Sequence, residues 1–452
     1  MPVNLHSKSF GVVIYAALGL LLVTAVALFA WPAYRASLDV YLDPNEGWNA
    51  YFADAAMGRM PLYPGPGLLV TNNYPPLSFY VEGGLGKIVG DNVLTGRLLS
   101  LAAVLGIAWA VGRIVLLLGG NRTGAAIGAV WFVGTMSRFY TGYVGMNDPQ
   151  LLAHALMTLA CAAFLRALMR GRDCTPAILG MVAAGFFKHN IIAMPLAAMF
   201  WLALHDRRQF WKCGGCALLA VAAGFAACRG LYGREFLLNF FTPRSYSWSD
   251  AFSALADLRF MVAGLVAWVS LYWLGFNGKY AQFCHLLAGL GLLTFFLEKS
   301  GSGVDVNAEF DLVIALSIIL GTAFSRLFML PHERPGICLT QLAAVLVLWA
   351  GWAVTPRLEI GRLVFDSSFR DTIIACEKAA ADAIAQARAA KGNVLCDPLV
   401  CYRAGKPIFV DEFNTEERIR AGKLPKDAIS RLVENGQLTE IDPGPDFYIL
   451  NP

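Results

Sequence analysis

The sequence predicts a mainly α-helical, polytopic membrane protein of about eleven transmembrane helices, with outer juxtamembrane helices and a small C-terminal α/β unit. Three observations carry that prediction. Of the 452 residues, 57% are hydrophobic and only 15% charged, against about 25% charged in ordinary soluble domains. Apolar stretches long enough to cross a bilayer recur from residue 11 to residue 355. Of the charged residues, 28 crowd into the last 96 positions, so a membrane body (1–356) is followed by a soluble tail (357–452).

The first run, Gly11 to Trp31, is too long for a signal-peptide core and lacks a small-residue cleavage site, so it stays as a span. Further spans are expected at 95–118, 123–139, 149–169, 176–189, 191–204, 211–230, 258–276, 279–297, 308–329 and 336–355. The stretch 76–90 holds Glu82, Lys87 and four glycines and reads as a helix lying in the interface. The stretch 176–204 carries Lys188, His189 and Asn190 at its middle and Pro195 beyond, so it splits into two short helices meeting near the outer face. The positive-inside bias then places the Arg166, Arg170 and Arg172 cluster, and Arg326 and Arg334, at cytoplasmic ends, with Arg138, Lys188 and Lys299 outside. This puts the N-terminus inside and the tail outside.

Three outer segments exceed what a connection needs: 32–94, 231–257 and the tail. In the tail a helix is expected at 372–390, strands at 393–396 and 407–411, a helix at 415–434 and a last strand at 446–450. It contains no G-x-G-x-x-G, P-loop or G-x-S-x-G, and its position outside suggests acceptor docking. Cys396 and Cys401 could pair there, with Cys376 as the alternative partner and free thiols as the plain reading. The other cysteines mostly lie in apolar stretches and read as small buried hydrophobes. The net charge of +4 and the absence of a basic block exclude nucleic acid as a partner.

Polar groups collect on the outer face. Asp43 and Glu46 begin a helix running to about Arg59, with Asn49 one turn on. Asp43 suits an N-cap, and Glu46 sits where a general base is needed. Tyr74-Pro75-Pro76 stiffens the chain before the interfacial helix. Asp148 and His154 lie at the outer start of a span, where ionisable groups are functional candidates, although Asp148 before Pro149 is also a good helix start. Lys188, Arg97, Arg244 and Lys299 are cations that could meet an anion outside; burying Lys188 alone is costly, so a ligand anion, Asp148 or Glu46 should stand beside it. Asn307 and Glu309 begin a later span after a Gly-rich turn, where a loop with a cap is the plain reading.

In this order the motifs resemble the GT-C glycosyltransferases, in particular the group of protein O-mannosyltransferases and lipid A aminoarabinose transferases. The likeness spans roughly residues 10–330. It rests on Asp43 and Glu46 after the first span, GRMPLY (58–63), Tyr74-Pro75-Pro76-Leu77, the span with Gly96-Arg97-Leu98, Asp148, and the later Gly301, Gly303, Asn307 and Glu309. The resemblance implies an inverting transfer of a sugar from a polyprenyl-phosphate carrier to an acceptor hydroxyl of a lipid, glycan or protein. It implies an enzyme of the bacterial inner membrane with a periplasmic site, surrounded by membrane lipids and requiring no cofactor, with a divalent cation as the open alternative. Glu46, Asp43 and Asp148 would be catalytic. Lys188, Arg97 and Arg244 would hold the donor phosphate, and Asn49, Tyr74, His154, His189, Asn307 and Glu309 would bind substrate. The family often shows adjacent Asp-Glu, whereas here Asn45 precedes Glu46 and Asp43 lies two residues earlier. Glu46 is preferred as the base, with Asp43 second. A transporter or lipid flippase is the alternative, against which stand the lack of an internal repeat and the long outer loop and tail.

Overall fold

The computed structural model describes residues 5–65, 67–330, 335–353 and 358–448. Helix α1 (Leu5–Arg35) is followed, in the first long loop, by α2 (Pro44–Ala56) and α3 (Leu77–Val89). The body continues with α4 (Asn92–Leu117), α5 (Arg122–Phe139), α6 (Pro149–Met169), α7 (Thr175–Gly185), α8 (Ala193–His205) and α9 (Arg207–Tyr232). The short α10 (Arg234–Phe240) and α11 (Trp248–Ala254) occupy the second long loop, and α12 (Val262–Trp273), α13 (Lys279–Glu298), α14 (Phe310–Met329) and α15 (Pro335–Ala353) complete it. Helices stand at all eleven expected positions, and among the described residues eight helical stretches are long and apolar enough to cross a membrane. Helices α7 and α8, with 11 and 13 residues, are about 16 and 20 Å long. Arg334 lies outside the described residues.

Side-chain capping sets the helix starts. Asp43, Asp91, Asn121, Asp148 and Asp206 each accept from a backbone amide in the first turn that follows. Both N-cap readings made for Asp43 and Asp148 therefore hold, with Pro44 and Pro149 at the first helical position.

Helix α14 is the central staff, packed against α4, α5, α12 and α13. Its contact with α5 is a seam of small residues: a Cβ on Gly124 would lie 2.3 Å from the Gly321 carbonyl oxygen, and one on Gly128 2.7 Å from that of Ser317. Ser317, Thr322 and Ser325 satisfy their hydroxyls on carbonyls four residues back. Peripheral α9 and α12 instead expose Trp211, Leu218, Leu219, Val269 and Trp273, which suits helices facing lipid.

The tail differs from the sequence expectation in detail. Helix α17 (Ser367–Ala389) follows a short α16 (Glu359–Phe365), and β1 (Asn393–Leu395) pairs in parallel with β2 (Leu438–Glu440). Residues 407–411 form no strand within the tail: Pro407 has no amide to donate, and Val410 bridges to Leu69 of the first outer loop instead. The helix expected at 415–434 is broken into α19 (Glu412–Arg420) and α20 (Ser430–Glu434), because Gly422 turns at φ +68° and Pro425 follows. An unforeseen helix, α18 (Pro398–Arg403), lies between β1 and α19. The last expected strand is a 3-10 turn at Pro445–Tyr448, and residues 449 and 450 lie outside the described residues, as does the expected 356/357 boundary.

The tail is docked on the outer loops. Asp411 and Thr415 donate to the Leu69 carbonyl, Ser245 donates its amide to Glu417, and Arg403 pairs with Asp91 at 2.6 Å.

Candidate functional site

The first turn of α2 sends its two carboxylates in different directions. Glu46 is 0% exposed and turned inward onto Arg97 of α4, itself 3% exposed. The pair is bidentate, at 2.8 Å from Nε and 2.6 Å from Nη2, the geometry that best repays desolvation. Arg97 spends its remaining donors on the carbonyls of Leu38 and Val40 at 2.6 and 2.8 Å. The neighbouring Gly96 leaves room for Asn147, whose Oδ1 would lie 1.8 Å from a Cβ there. Asn147 donates its amide to Glu46 and its side chain to Glu82 of α3. Gly96 and Arg97 thus act together: one admits a polar bridge, the other ties the outer loop to the bundle.

Asp43 points the other way, into a cavity of about 1050 Å³ between the outer loops and the tail. Asn45 donates its amide to Asp43 at 2.8 Å, and burial nevertheless pushes this carboxyl up to about 6. Lys188 enters from the break between α7 and α8, 3.4 Å from Asp148 Oδ2 and 3.4 Å above the Tyr74 ring. The Tyr-Pro-Pro-Leu segment is bound to that break, since Leu77 donates its amide to the Phe186 carbonyl at 3.2 Å. Arg244 is set by the Ser302 carbonyl at 2.7 Å and by the Phe413 ring of the tail at 5.1 Å. The segment after it is held by an antiparallel bridge between Tyr246 and Gly301.

Of the residues singled out in the sequence, Asp43, Asn49, Tyr74, Lys188, His189, Arg244 and Asn307 line one cavity. Glu46, Arg97, Asp148, His154 and Glu309 stand behind its wall. Asp148 reaches it through Lys188. His154 lies 3.3 Å from Asp311, which also accepts the Ala193 amide at the start of α8. Glu309 accepts from Tyr140 at 2.6 Å and pairs with Lys299 at 3.0 Å.

Sequence reasoning missed most of the carboxylates of the cavity and its wall, Asp305, Glu412, Glu440 and Asp442 among them. Glu298 lines the cavity and accepts from Asn190 at 3.0 Å. Glu82 is buried, and desolvation lifts it to about 8 despite the Asn147 bond. Asp397 and Asp411 come from the tail, and burial raises them to about 7 and about 6. The only signal for these two was Asp as an N-cap residue in Asp-Pro and in Asp-x-x-Asn. Cys396 and Cys401 form a disulfide, while Cys376 is buried in α17. Among the described residues no three His, Cys, Asp or Glu side chains are grouped to hold a metal ion.

No protein-family model matches the chain, and no curated protein matches it. Solved structures do. ArnT from Cupriavidus metallidurans bound to undecaprenyl phosphate superposes with a TM-score of 0.59 and 13% identity over 98% of this chain and 94% of that one. Apo ArnT from the same organism gives 0.57 and 15% over the same shares. The apo oligosaccharyltransferase of Archaeoglobus fulgidus gives 0.50 and 12% over 88% of this chain and 65% of that one. At these identities the likeness is one of fold, and it extends through the tail as well as the body. The chain is a mainly helical, multi-pass membrane protein with the GT-C fold.

Proposed function

We propose that the chain is an inverting glycosyltransferase that moves a sugar from a polyprenyl-phosphate carrier to an acceptor hydroxyl at the periplasmic face of a bacterial inner membrane. In this reading the N-terminus is cytoplasmic and residues 357–452 form a periplasmic unit. The single observation that carries it is one cavity holding a half-buried carboxylate, Asp43, together with two cations, Lys188 and Arg244. The fold shared with ArnT, whose solved structure holds undecaprenyl phosphate, supports the donor class.

The chemistry divides between those groups. Asp43 takes the proton of the acceptor hydroxyl as its oxygen forms the bond to the anomeric carbon. The bond from that carbon to the phosphate oxygen breaks, and its electron pair leaves with the lipid phosphate. Lys188 and Arg244 stabilise the growing negative charge on the leaving oxygen. Asp148 and Tyr74 keep Lys188 charged and in place. Glu46 does not enter this step, because both its oxygens are spent on Arg97 and Asn147. The base role therefore passes to Asp43, and Arg97 becomes a structural partner rather than a phosphate ligand. The step uses no cofactor.

The test is transfer of label by the purified protein in liposomes from a panel of radiolabelled polyprenyl-phosphate sugars. Asp43→Asn should lower kcat by about 10² to 10⁴, the usual range for a general base, with thermal stability unchanged. Lys188→Ala should raise the donor KM. Transport of the lipid across the bilayer without any glycosyl transfer, unaltered in Asp43→Asn, would overturn the reading in favour of a flippase.

A further inference from the structure

Part of the cavity wall comes from a six-residue loop of the tail that is fastened at both ends. Residues 396–401 lead from β1 into α18, and the Cys396–Cys401 disulfide closes them into a ring. Inside the ring Asp397 caps α18 by accepting the Leu399 amide at 2.8 Å, and its carbonyl accepts the Cys401 amide at 2.9 Å. The ring lies directly on α2. A Cβ on Gly47 would fall 2.1 Å from the Pro398 carbonyl carbon and 2.2 Å from the Leu399 nitrogen, so only glycine permits this approach. At the far end of α18, Arg403 is pinned by Asp91 at 2.6 Å and Asp39 at 3.5 Å.

Cys396, Asp397 and Pro398 all face the cavity that Asp43 lines. The charges that act most on Asp397 are those of Asp43 and Glu46, both repulsive, and Glu46 is already neutralised by Arg97. No cation pairs with Asp397 or Asp43 among the described residues. Asp43 at the start of α2 and Asp397 in the ring packed on α2 line the same cavity, with Glu412, Glu440 and Asp442 of the tail also in its lining, and as carboxylates they are acceptors for donors from a ligand. One hydroxyl supplies a donor for Asp43. A second, adjacent donor is needed for Asp397, which a sugar diol provides and a lone serine hydroxyl does not.

We propose that Asp397 is a substrate-contacting residue contributed by the tail, that it binds the hydroxyl next to the reacting one on a sugar acceptor, and that the Cys396–Cys401 bridge holds it there. This rests on the glycosyltransferase reading above and assigns the acceptor side of its site.

The experiment compares wild type, Asp43→Asn, Asp397→Asn, Asp397→Ser and the double variant Cys396→Ser/Cys401→Ser, full length in liposomes, with a methyl hexoside and a serine-containing peptide as acceptor probes. Asn and Ser both serve as N-caps, so α18 should persist, and unchanged thermal unfolding would verify it. Loss of a hydrogen bond to a charged group predicts a rise of about tenfold or more in the KM for the hexoside, with donor KM unchanged and kcat within about threefold. The double cysteine variant, or wild type treated with a reductant, should show the same rise, and adding Asp397→Ser to it should raise KM no further. Wild-type acceptor KM in both Asp397 variants, while Asp43→Asn is inactive, overturns this inference alone. Full activity in Asp43→Asn overturns the underlying function instead. Equal use of the hexoside and the peptide, or of neither, overturns the diol assignment.

Discussion

Three positions separate Asp43 from Glu46, and the first turn of α2 carries one carboxylate to the cavity and the other to Arg97. Removing the charge of Glu46 leaves Arg97 buried without its partner, a change that typically costs about 3–5 kcal/mol. Glu46→Gln is therefore expected to lower the thermal unfolding temperature markedly, whereas Asp43→Asn should leave it near wild type and remove turnover. The base assignment also fixes a pH dependence. Burial raises Asp43 to about 6, and the group acts when ionised, so kcat/KM should fall about tenfold per pH unit below that value. A plateau extending to pH 4.5 would contradict Asp43 as the base. Glu82 gives a stability dependence of defined sign. Its folded-state value of about 8 exceeds that of an exposed glutamate, about 4.3, so its contribution is fully present at low pH and is lost as pH rises through 8. Glu82→Gln keeps an acceptor for Asn147, and its unfolding temperature should gain on wild type as pH rises from about 5 to 8.

At the scale of elements, the junction of α2 with α18 is decided by one missing side chain. Gly47→Ala would thrust a methyl group into the Pro398 backbone, which has no rotamer with which to yield. The expected result is displacement of the 396–401 loop, measured as faster limited proteolysis of the tail and a raised acceptor KM, with membrane insertion intact. The break between α7 and α8 was legible beforehand, because Lys188, His189 and Asn190 cannot sit in the middle of an apolar span without partners. The tail elements were less legible. Val410 has strand character, but its partner is Leu69, about 340 positions earlier, and no local pattern encodes such a pairing. The long helix expected at 415–434 failed for a local reason, since Gly422 and Pro425 punctuate it.

For the molecule as a whole, the cavity belongs to the body and the tail together. Lys188 and Arg244 come from the body, Asp397 and Asp411 from the tail. Deleting residues 358–448 is expected to abolish transfer while retaining binding of a polyprenyl phosphate, read by label retained on the protein; loss of both would place donor binding in the tail as well. The sequence by itself determined the membrane class, the position of every long apolar helix, the helix starts at Asp43 and Asp148, and seven residues that share the cavity. It could do so because hydrophobic runs, caps and prolines act over a few neighbouring positions. Only the tertiary structure decided which acidic residue faces open space and which is spent on Arg97, and that the tail roofs the site. Those outcomes depend on which distant segment lies opposite a given side chain, and burial, ion pairing and the clearance at Gly47 exist only once α2, α4 and α18 have come together.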